Sequence, residues 1–312
     1  MIIYKSEDKF DRSNEYVATV GFFDGVHRGH RFLLDELKKV ADSQRRKSLV
    51  FTFSQHPRKV LHDNFQPVLL NSLDEKLAQL ATTGIDVCVV LNFTLELAAL
   101  SAHDFLKQVL FDKYNVRTLI VGHDHRLGHN REEGFEDYFR YGEEMGMEVI
   151  KARRFVTDEY SHISSSEIRL ALQKGEIAKA NNLLTYPYTL TGKVINGFQV
   201  GRKIGFPTAN LKPDNSEKLV PSPGVYAVQI VWNGRSYNGM MNIGFRPTLN
   251  NGGGLSFEVH IFDFEENIYN QTIAIKFIRK IREEQKFKNV DALIEQLIYD
   301  KQIVLNILGK KV

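Results

Sequence analysis

The sequence predicts a two-part chain, with an α/β half built on a parallel sheet followed by a mostly antiparallel β-barrel and a C-terminal helix. Three observations carry that prediction. Up to Leu184, short apolar runs alternate with amphipathic stretches, the pattern of parallel strands covered by helices. Beyond Leu184, β-type segments follow one another directly and are separated by turn formers. Six of the eight prolines and eleven of the twenty-two glycines lie between Pro187 and Gly254, so the texture changes at that point. With 312 residues and roughly 150 residues per domain, two domains are expected, at 1–184 and 185–312.

In the first half the expected strands are Tyr16–Gly21, Ser48–Phe53, Val87–Asn92, Thr118–Gly122 and Met147–Lys151. Between them, helical periodicity covers Arg31–Ala41, Asp74–Thr83, Ser101–Tyr114 and Glu133–Glu144. Repeated β–α alternation of this kind is Rossmann-like. A further helix is expected at Glu176–Leu184, then strands at Thr189–Ile195, Gly224–Trp232, Arg235–Ile243, Leu255–Phe262 and Thr272–Ile281. Asn196-Gly197, Asn233-Gly234 and Asn250–Gly254 supply turns, and Val290–Leu308 supplies the last helix.

Composition is that of an ordinary globular protein, at 43% apolar, 25% charged and 11% aromatic, which excludes fibrous and low-complexity classes. The formal charge is only +3, from 41 basic against 38 acidic residues. That is too little for a global field recruiting nucleic acid or a membrane surface, so neither is expected as a partner. The single cysteine, Cys88, lies in the apolar run Val87–Leu91, which points to a buried small residue with no internal disulfide. No signal-like or membrane-length apolar segment occurs, so a cytoplasmic location is expected.

The segment Gly21-Phe22-Phe23-Asp24-Gly25-Val26-His27-Arg28-Gly29-His30 joins the first main strand to its helix, the place where ligands bind in an open α/β sheet. Glycines at spacing four permit tight turning, and the unpaired N–H groups of a helix start attract anions. His27 and His30, three apart, share one side of the first turn and can donate to oxygens that gain charge as a phosphate bond breaks. Such a pair also suits a metal or a polar surface. Neither GxGxxG nor GxxxxGK[ST] occurs, so neither the dinucleotide fingerprint nor the P-loop applies.

A second cluster, Gly122 to Gly134, follows the fourth strand. Asp124 can anchor a ribose hydroxyl or hydrated Mg²⁺, and Arg126 or Arg131 can neutralise phosphate; His123, His125 and His129 also permit a transition metal. In Ile163-Ser164-Ser165-Ser166-Glu167-Ile168-Arg169 the serines suit a helix cap or, with Arg169, a phosphate site. The glycine-rich stretch Gly192–Leu211 lacks the look of a regular element. Its backbone N–H groups can wrap phosphates, Arg202 or Lys203 adds charge, and Thr208 and Asn210 offer oxygens suited to Mg²⁺; a barrel corner is the alternative. In Leu255–Phe264, Phe257, Val259 and Ile261 share one strand face and Glu258 and His260 the other. Glu258 is therefore either a general base for a hydroxyl or part of an exposed face.

Taken together, GFFDGVHRGH, VGHDHRLGHNREEG and ISSSEIR, in this order over roughly residues 15–170, resemble the FMN adenylyltransferase module of bacterial riboflavin kinase/FAD synthetases. That module belongs to the nucleotidyltransferase superfamily with a His-x-x-His phosphate loop. GRKIGFPTANL and FEVHIFDF, with PGVY, NIGFRPT and FIRKIR, resemble the riboflavin kinase module over 187–290. The resemblance implies phosphorylation of riboflavin to FMN and adenylylation of FMN to FAD, with ATP and Mg²⁺. It implies that Gly21, Phe22, Phe23, Asp24, Gly25, His27 and His30 surround the ATP phosphates. It further implies that Asp124 helps hold nucleotide or metal, that Arg131 binds nucleotide, and that Ser165, Ser166 and Arg169 steady the triphosphate. In the second module Gly201, Lys203, Gly205, Pro207, Thr208 and Asn210 bind Mg-nucleotide, with Thr208 and Asn210 on the metal; Glu258 accepts the riboflavin hydroxyl proton, and Arg279 and Arg282 approach the flavin. The family commonly has aromatics where this chain has His125 and Leu127, and threonine where it has Ser166.

Overall fold

The computed structural model describes residues 1–62, 64–122, 126–129, 132–155, 163–197, 200–245 and 254–309. The chain divides into two compact units, Met1–Ser165 and Ser166–Val312.

The first unit contains β1 (Ile2–Lys5), β2 (Tyr16–Val20), α1 (Arg28–Ser43), β3 (Lys47–Phe53), α2 (Pro57–Leu61), α3 (Leu73–Ala81), β4 (Val87–Leu91), α4 (Leu95–Ala99), α5 (Ala102–Asp104), a π-helix (Phe105–Lys113), β5 (Val116–Val121), α6 (Phe135–Met145) and β6 (Glu148–Lys151). Its six strands form one parallel sheet in the order β1-β4-β3-β2-β5-β6. All of β2 and β4 is buried, as expected of strands covered on both faces. Alternation sorts their residues, since Tyr16, Ala18, Val20 and Phe51 join one apolar cluster while Val17, Val50 and Cys88 join the other, with Leu34 and Leu37 of α1. Cys88 is wholly buried, and burial pushes its thiol up to about 12.

The strand order reverses at β2, whose neighbours are β3 and β5. In a doubly wound sheet the crevice beyond the carboxyl ends at that reversal binds ligands, and the Gly21–His30 segment starts there. Helix α1 begins three residues earlier than expected because His27, not a usual capping residue, caps it. The single helix expected at Ser101–Tyr114 is instead α5 plus the π-helix, whose end is marked by Tyr114 N–H donating to the Val109 carbonyl. Over so short a run the two registers present nearly the same apolar face, so spacing cannot separate them.

The second unit contains α7 (Ser165–Gln173), α8 (Ile177–Leu184), β7 (Thr189–Ile195), α9 (Val200–Lys203), β8 (Ala209–Pro213), β9 (Gly224–Trp232), β10 (Arg235–Phe245), β11 (Leu255–Ile261), β12 (Thr272–Arg282) and α10 (Val290–Gly309). The six strands close an antiparallel barrel in the order β10-β11-β8-β7-β12-β9. Asn233 and Gly234 both take positive φ, 48° and 72°, as a two-residue hairpin between β9 and β10 requires. The glycine-rich stretch, expected to lack regular structure, contributes α9 and barrel strand β8. Leu297 and Val304 of α10 pack on Phe206, Ala227 and Met240. Among the described residues, no helix is long and apolar enough to cross a membrane.

Candidate active sites

In the first unit the chain leaves β2 through a tightly wound loop in which Phe23, Gly25 and Val26 have φ of 54°, 82° and 37°. Two of these are not glycine, so surrounding contacts must hold them there. Asp24 provides one such contact. It is 4% exposed, and its carboxylate accepts the N–H groups of Leu70 (3.0 and 3.1 Å) and Asn71 (3.2 Å). Its side chain thus points into the protein, while its carbonyl accepts the Ser165 hydroxyl at 2.9 Å.

His27 Nδ1 accepts the His30 N–H at 3.3 Å. In the neutral ring that acceptor role places the proton on Nε2, which becomes a donor. The two imidazoles stack with centroids 3.6 Å apart and planes 16° off parallel, so the three-residue spacing does bring them together. Burial first, then the fields of His27 and Lys76, push the His30 pKa well below its ordinary value, so the ring is neutral at pH 7. Its Nδ1 is buried and has no hydrogen-bond partner among the described residues. Ser166 and Arg169 lie on α7, exposed and half-buried respectively. Asp124, Arg131, His123 and His125 lie outside the described residues.

In the second unit two cavities meet at Thr208, which lines both. One, of about 230 Å³, is bounded by Gly201, Phe206, Glu258, His260, Arg282 and Leu297, among others. The other, of about 480 Å³, includes Arg202, Pro207, Val259, Ile261, Phe264 and Tyr269. The alternation of β11 decides this partition, with Glu258 and His260 facing the smaller cavity and Val259 and Ile261 the larger. Glu258 is half-buried and stands opposite Asn210 of β8 and Asn242 of β10; cross-strand partners share a face, so a carboxylate sits between two amides. His260 Nδ1 lies 2.8 Å from the Pro207 carbonyl. A carbonyl only accepts, so Nδ1 carries the proton, and burial lowers the ring's pKa.

Gly201 is required by packing, because a Cβ there would stand 2.2 Å from the Phe206 carbonyl oxygen. Lys203, Gly205 and Arg279 are exposed and line neither cavity. Arg282 does line the smaller one, but its guanidinium is held by Asp300: Nε donates at 3.1 and 2.9 Å, and Nη2 stands 2.8 Å away. Asp300 and Lys76 were not expected from sequence. Each is a charged residue on an otherwise apolar helical stripe (Leu73, Lys76, Leu77, Leu80 and Leu293, Leu297, Asp300, Val304), a signal that spacing does expose.

Family models match both halves, "FAD synthetase" over residues 9–167 and "Riboflavin kinase" over 184–308. The chain belongs to the bifunctional riboflavin kinase/FMN adenylyltransferase family. The member from Listeria monocytogenes is 37% identical over 92% of this chain and 90% of its own length, and that from Escherichia coli K12 is 35% identical over 94% and 93%. A crystal structure from Streptococcus pneumoniae, described as a macrolide-efflux protein, matches with TM-score 0.89 and 29% identity, covering 98% of this chain and 99% of its own.

Proposed function

We infer that this protein catalyses two successive ATP-dependent reactions, phosphorylation of riboflavin to FMN and adenylylation of FMN to FAD with release of pyrophosphate. The observation that carries the inference is that the two halves of the chain match the two family models, one for each reaction. We assign adenylylation to residues 1–184 and phosphorylation to 185–312. The buried, unpaired thiol of Cys88 fits a reducing cytoplasm.

For phosphorylation, riboflavin occupies the smaller cavity and ATP the larger, so the alcohol and terminal phosphate meet at Thr208. Glu258 accepts the proton of the 5′-hydroxyl as its oxygen bonds to the γ-phosphorus and the bond to ADP breaks. Thr208 and Asn210 fit Mg²⁺ carried by the nucleotide. They are neutral oxygen donors, and among the described residues no group of three or more His, Cys, Asp or Glu forms a cage, which matches an ion held mainly by phosphate and water. When bound, the ion neutralises phosphate charge. Arg282, gripped by Asp300, acts as a wall of the flavin cavity; Pro207 lines the nucleotide cavity, whereas Gly201 borders the smaller one and Lys203 and Gly205, also expected on the nucleotide, line neither.

For adenylylation the nucleophile is the FMN phosphate, already ionised, so no strong base is needed. Its oxygen bonds to the α-phosphorus as pyrophosphate departs, and positioning and charge stabilisation dominate. The Nε2–H of His27, His30 and the loop N–H groups fit that demand; Ser166 and Arg169, which the resemblance puts on the same phosphates, belong to the second unit. Glu258→Gln is expected to abolish ADP formation from riboflavin while leaving FMN-to-FAD conversion. His27→Ala or His30→Ala is expected to cut FAD formation about 10²-fold, the scale of losing one transition-state donor, while FMN still forms. Separate assays of ADP and pyrophosphate check both, and equal loss of the two products in any of these variants refutes the assignment.

A further inference from the structure

Lys76 is a buried cation for which neither reaction has a use at its reacting atoms. It is 3% exposed. Its Nζ donates to the Phe53 carbonyl at 2.9 Å and the Phe22 carbonyl at 3.1 Å, and lies 4.1 Å from the centre of the Phe22 ring. Phe53 ends β3, and Phe22 begins the histidine loop just after β2, so a single ammonium ties two adjacent strand ends behind that loop. The Thr52 hydroxyl reaches the same Phe22 carbonyl at 3.1 Å.

A trans peptide points its C=O and N–H in opposite directions. Holding the Phe22 carbonyl toward Lys76 therefore turns the Phe23 N–H to the opposite side of the loop. Lys76 also shares its support with Asp24. Asp24 fastens the loop to Leu70 and Asn71, and Ser72, the next residue, caps the helix that carries Lys76 through a capping box with Glu75. The bracket at residues 70–76 thus grips the loop by one carboxylate and one ammonium, where Phe23 and Val26 need external support.

We propose that Lys76 is a positioning residue for FMN adenylylation, holding the Gly21–His30 loop in the shape that receives the ATP phosphates. This rests on the reading of that loop as the phosphate site. Burial brings the Lys76 pKa down to about 8, against the opposing fields of Asp24 and Cys88. The titratable groups that interact with it are Asp24 and His30 from the loop and Cys88 from β4. Carboxylate and imidazole groups ordinarily titrate well below 8, and Cys88 is held at about 12, so a transition near pH 8 belongs to Lys76. Charge-assisted hydrogen bonds are roughly twice as strong as neutral ones, so the grip weakens as the ammonium deprotonates.

The test uses the full chain and both activities. Lys76→Met is expected to lower kcat/KM for ATP in FAD formation by about 30-fold, with riboflavin phosphorylation within twofold of the wild type as the internal control of folding. Lys76→Arg keeps a cation and is expected to restore FAD formation to within about fivefold. The wild type is expected to lose adenylylation rate above pH 8 and Lys76→Arg to remove that fall, which a purely structural side chain would not do. FAD formation by Lys76→Met within twofold of the wild type overturns the proposal, as does the same fall above pH 8 in the wild type and Lys76→Arg. The latter decides the matter even if Lys76→Met does not fold. His30→Ala separates the two levels: if it leaves FAD formation intact, the phosphate reading fails, whereas a damaged His30→Ala beside an unaffected Lys76→Met removes only Lys76.

Discussion

Replacing Asp300 with alanine leaves the Arg282 guanidinium beside the smaller cavity of the second unit without its counter-ion. The Asp300 side chain is 1% exposed against 18% for Arg282. Its carboxylate receives Arg282 Nε at 2.9 and 3.1 Å and Gln296 Nε2 at 2.8 Å, and lies 2.8 Å from Arg282 Nη2. Breaking a buried pair by removing one partner costs about 3–5 kcal/mol. Arg282 retains some water access and a bond from Nη1 to the Glu283 carbonyl at 3.0 Å, which places this case near the lower end, ~3 kcal/mol. For a unit of this size that is a fall in Tm of about 6–12 °C. The single tryptophan, Trp232, lies in β9 of the second unit, so its fluorescence follows that unit alone during a thermal melt. Because β12 and α10, which carry Arg282 and Leu297, both line the smaller cavity, KM for riboflavin is expected to rise with the instability. Asp300→Asn, which keeps an acceptor oxygen, is expected to fall between the two. A fluorescence melt of Asp300→Ala within 2 °C of the wild type refutes the reasoning.

Two further expectations test the sites from other directions. Gly201→Ala pushes a methyl against the Phe206 carbonyl, 2.2 Å away before relaxation, and opens the turn closed by Phe206 N–H to Gly201 C=O at 2.9 Å; a shift of ~1 Å at Thr208 lowers riboflavin phosphorylation about 10²-fold, with FMN adenylylation unchanged, both read from initial rates. His30 has a folded-state pKa below its ordinary value of 6.5, so above that pH neither state binds the proton. As pH falls through 6.5 the unfolded chain takes up a proton that the folded one refuses, and stability is lost. Between pH 7.5 and 5.5, His30→Gln is expected to lose less stability of the first unit than the wild type in denaturant titrations followed by circular dichroism. A loss equal to that of the wild type counts against the burial of a neutral ring.

What sequence could reveal was whatever repeats with the period of an element. Thr189–Ile195 and Gly224–Trp232 are found with the expected ends, because alternating β-formers bounded by turn residues leave little choice of register. Strand β8 was hidden: Ala209–Pro213 contains asparagine, lysine and proline, and its place comes from pairing with β7 and β11 rather than from its own pattern. Strand β1 has the same origin, since Ile2 and Ile3 are 60% and 45% exposed and only pairing with β4 makes them a strand. The stacked histidines and the facing of Glu258 followed from spacing. The direction of Asp24 did not, because its acceptor geometry depends on Leu70 and Asn71, more than forty residues away.

That inward direction shapes the electrostatics of the first unit. Under the function proposed above, a carboxylate exposed at the Gly21–His30 loop would repel both the triphosphate and the anionic flavin phosphate. Asp24 instead has backbone N–H groups against its oxygens, while Lys76 places a positive charge behind the same loop and His30 stays neutral. The local balance therefore favours anions although the chain as a whole carries only +3. Under the function proposed above, the smaller cavity of the second unit has the opposite requirement, since a neutral alcohol must lose a proton to attack phosphorus. There the carboxylate of Glu258 faces the cavity between Asn210 and Asn242, and the nearby guanidinium of Arg282 is occupied by Asp300. Asp300 thus fixes Arg282 of β12 to α10 beside that cavity, just as Asp24 preserves the shape of the histidine loop without adding exposed negative charge to it.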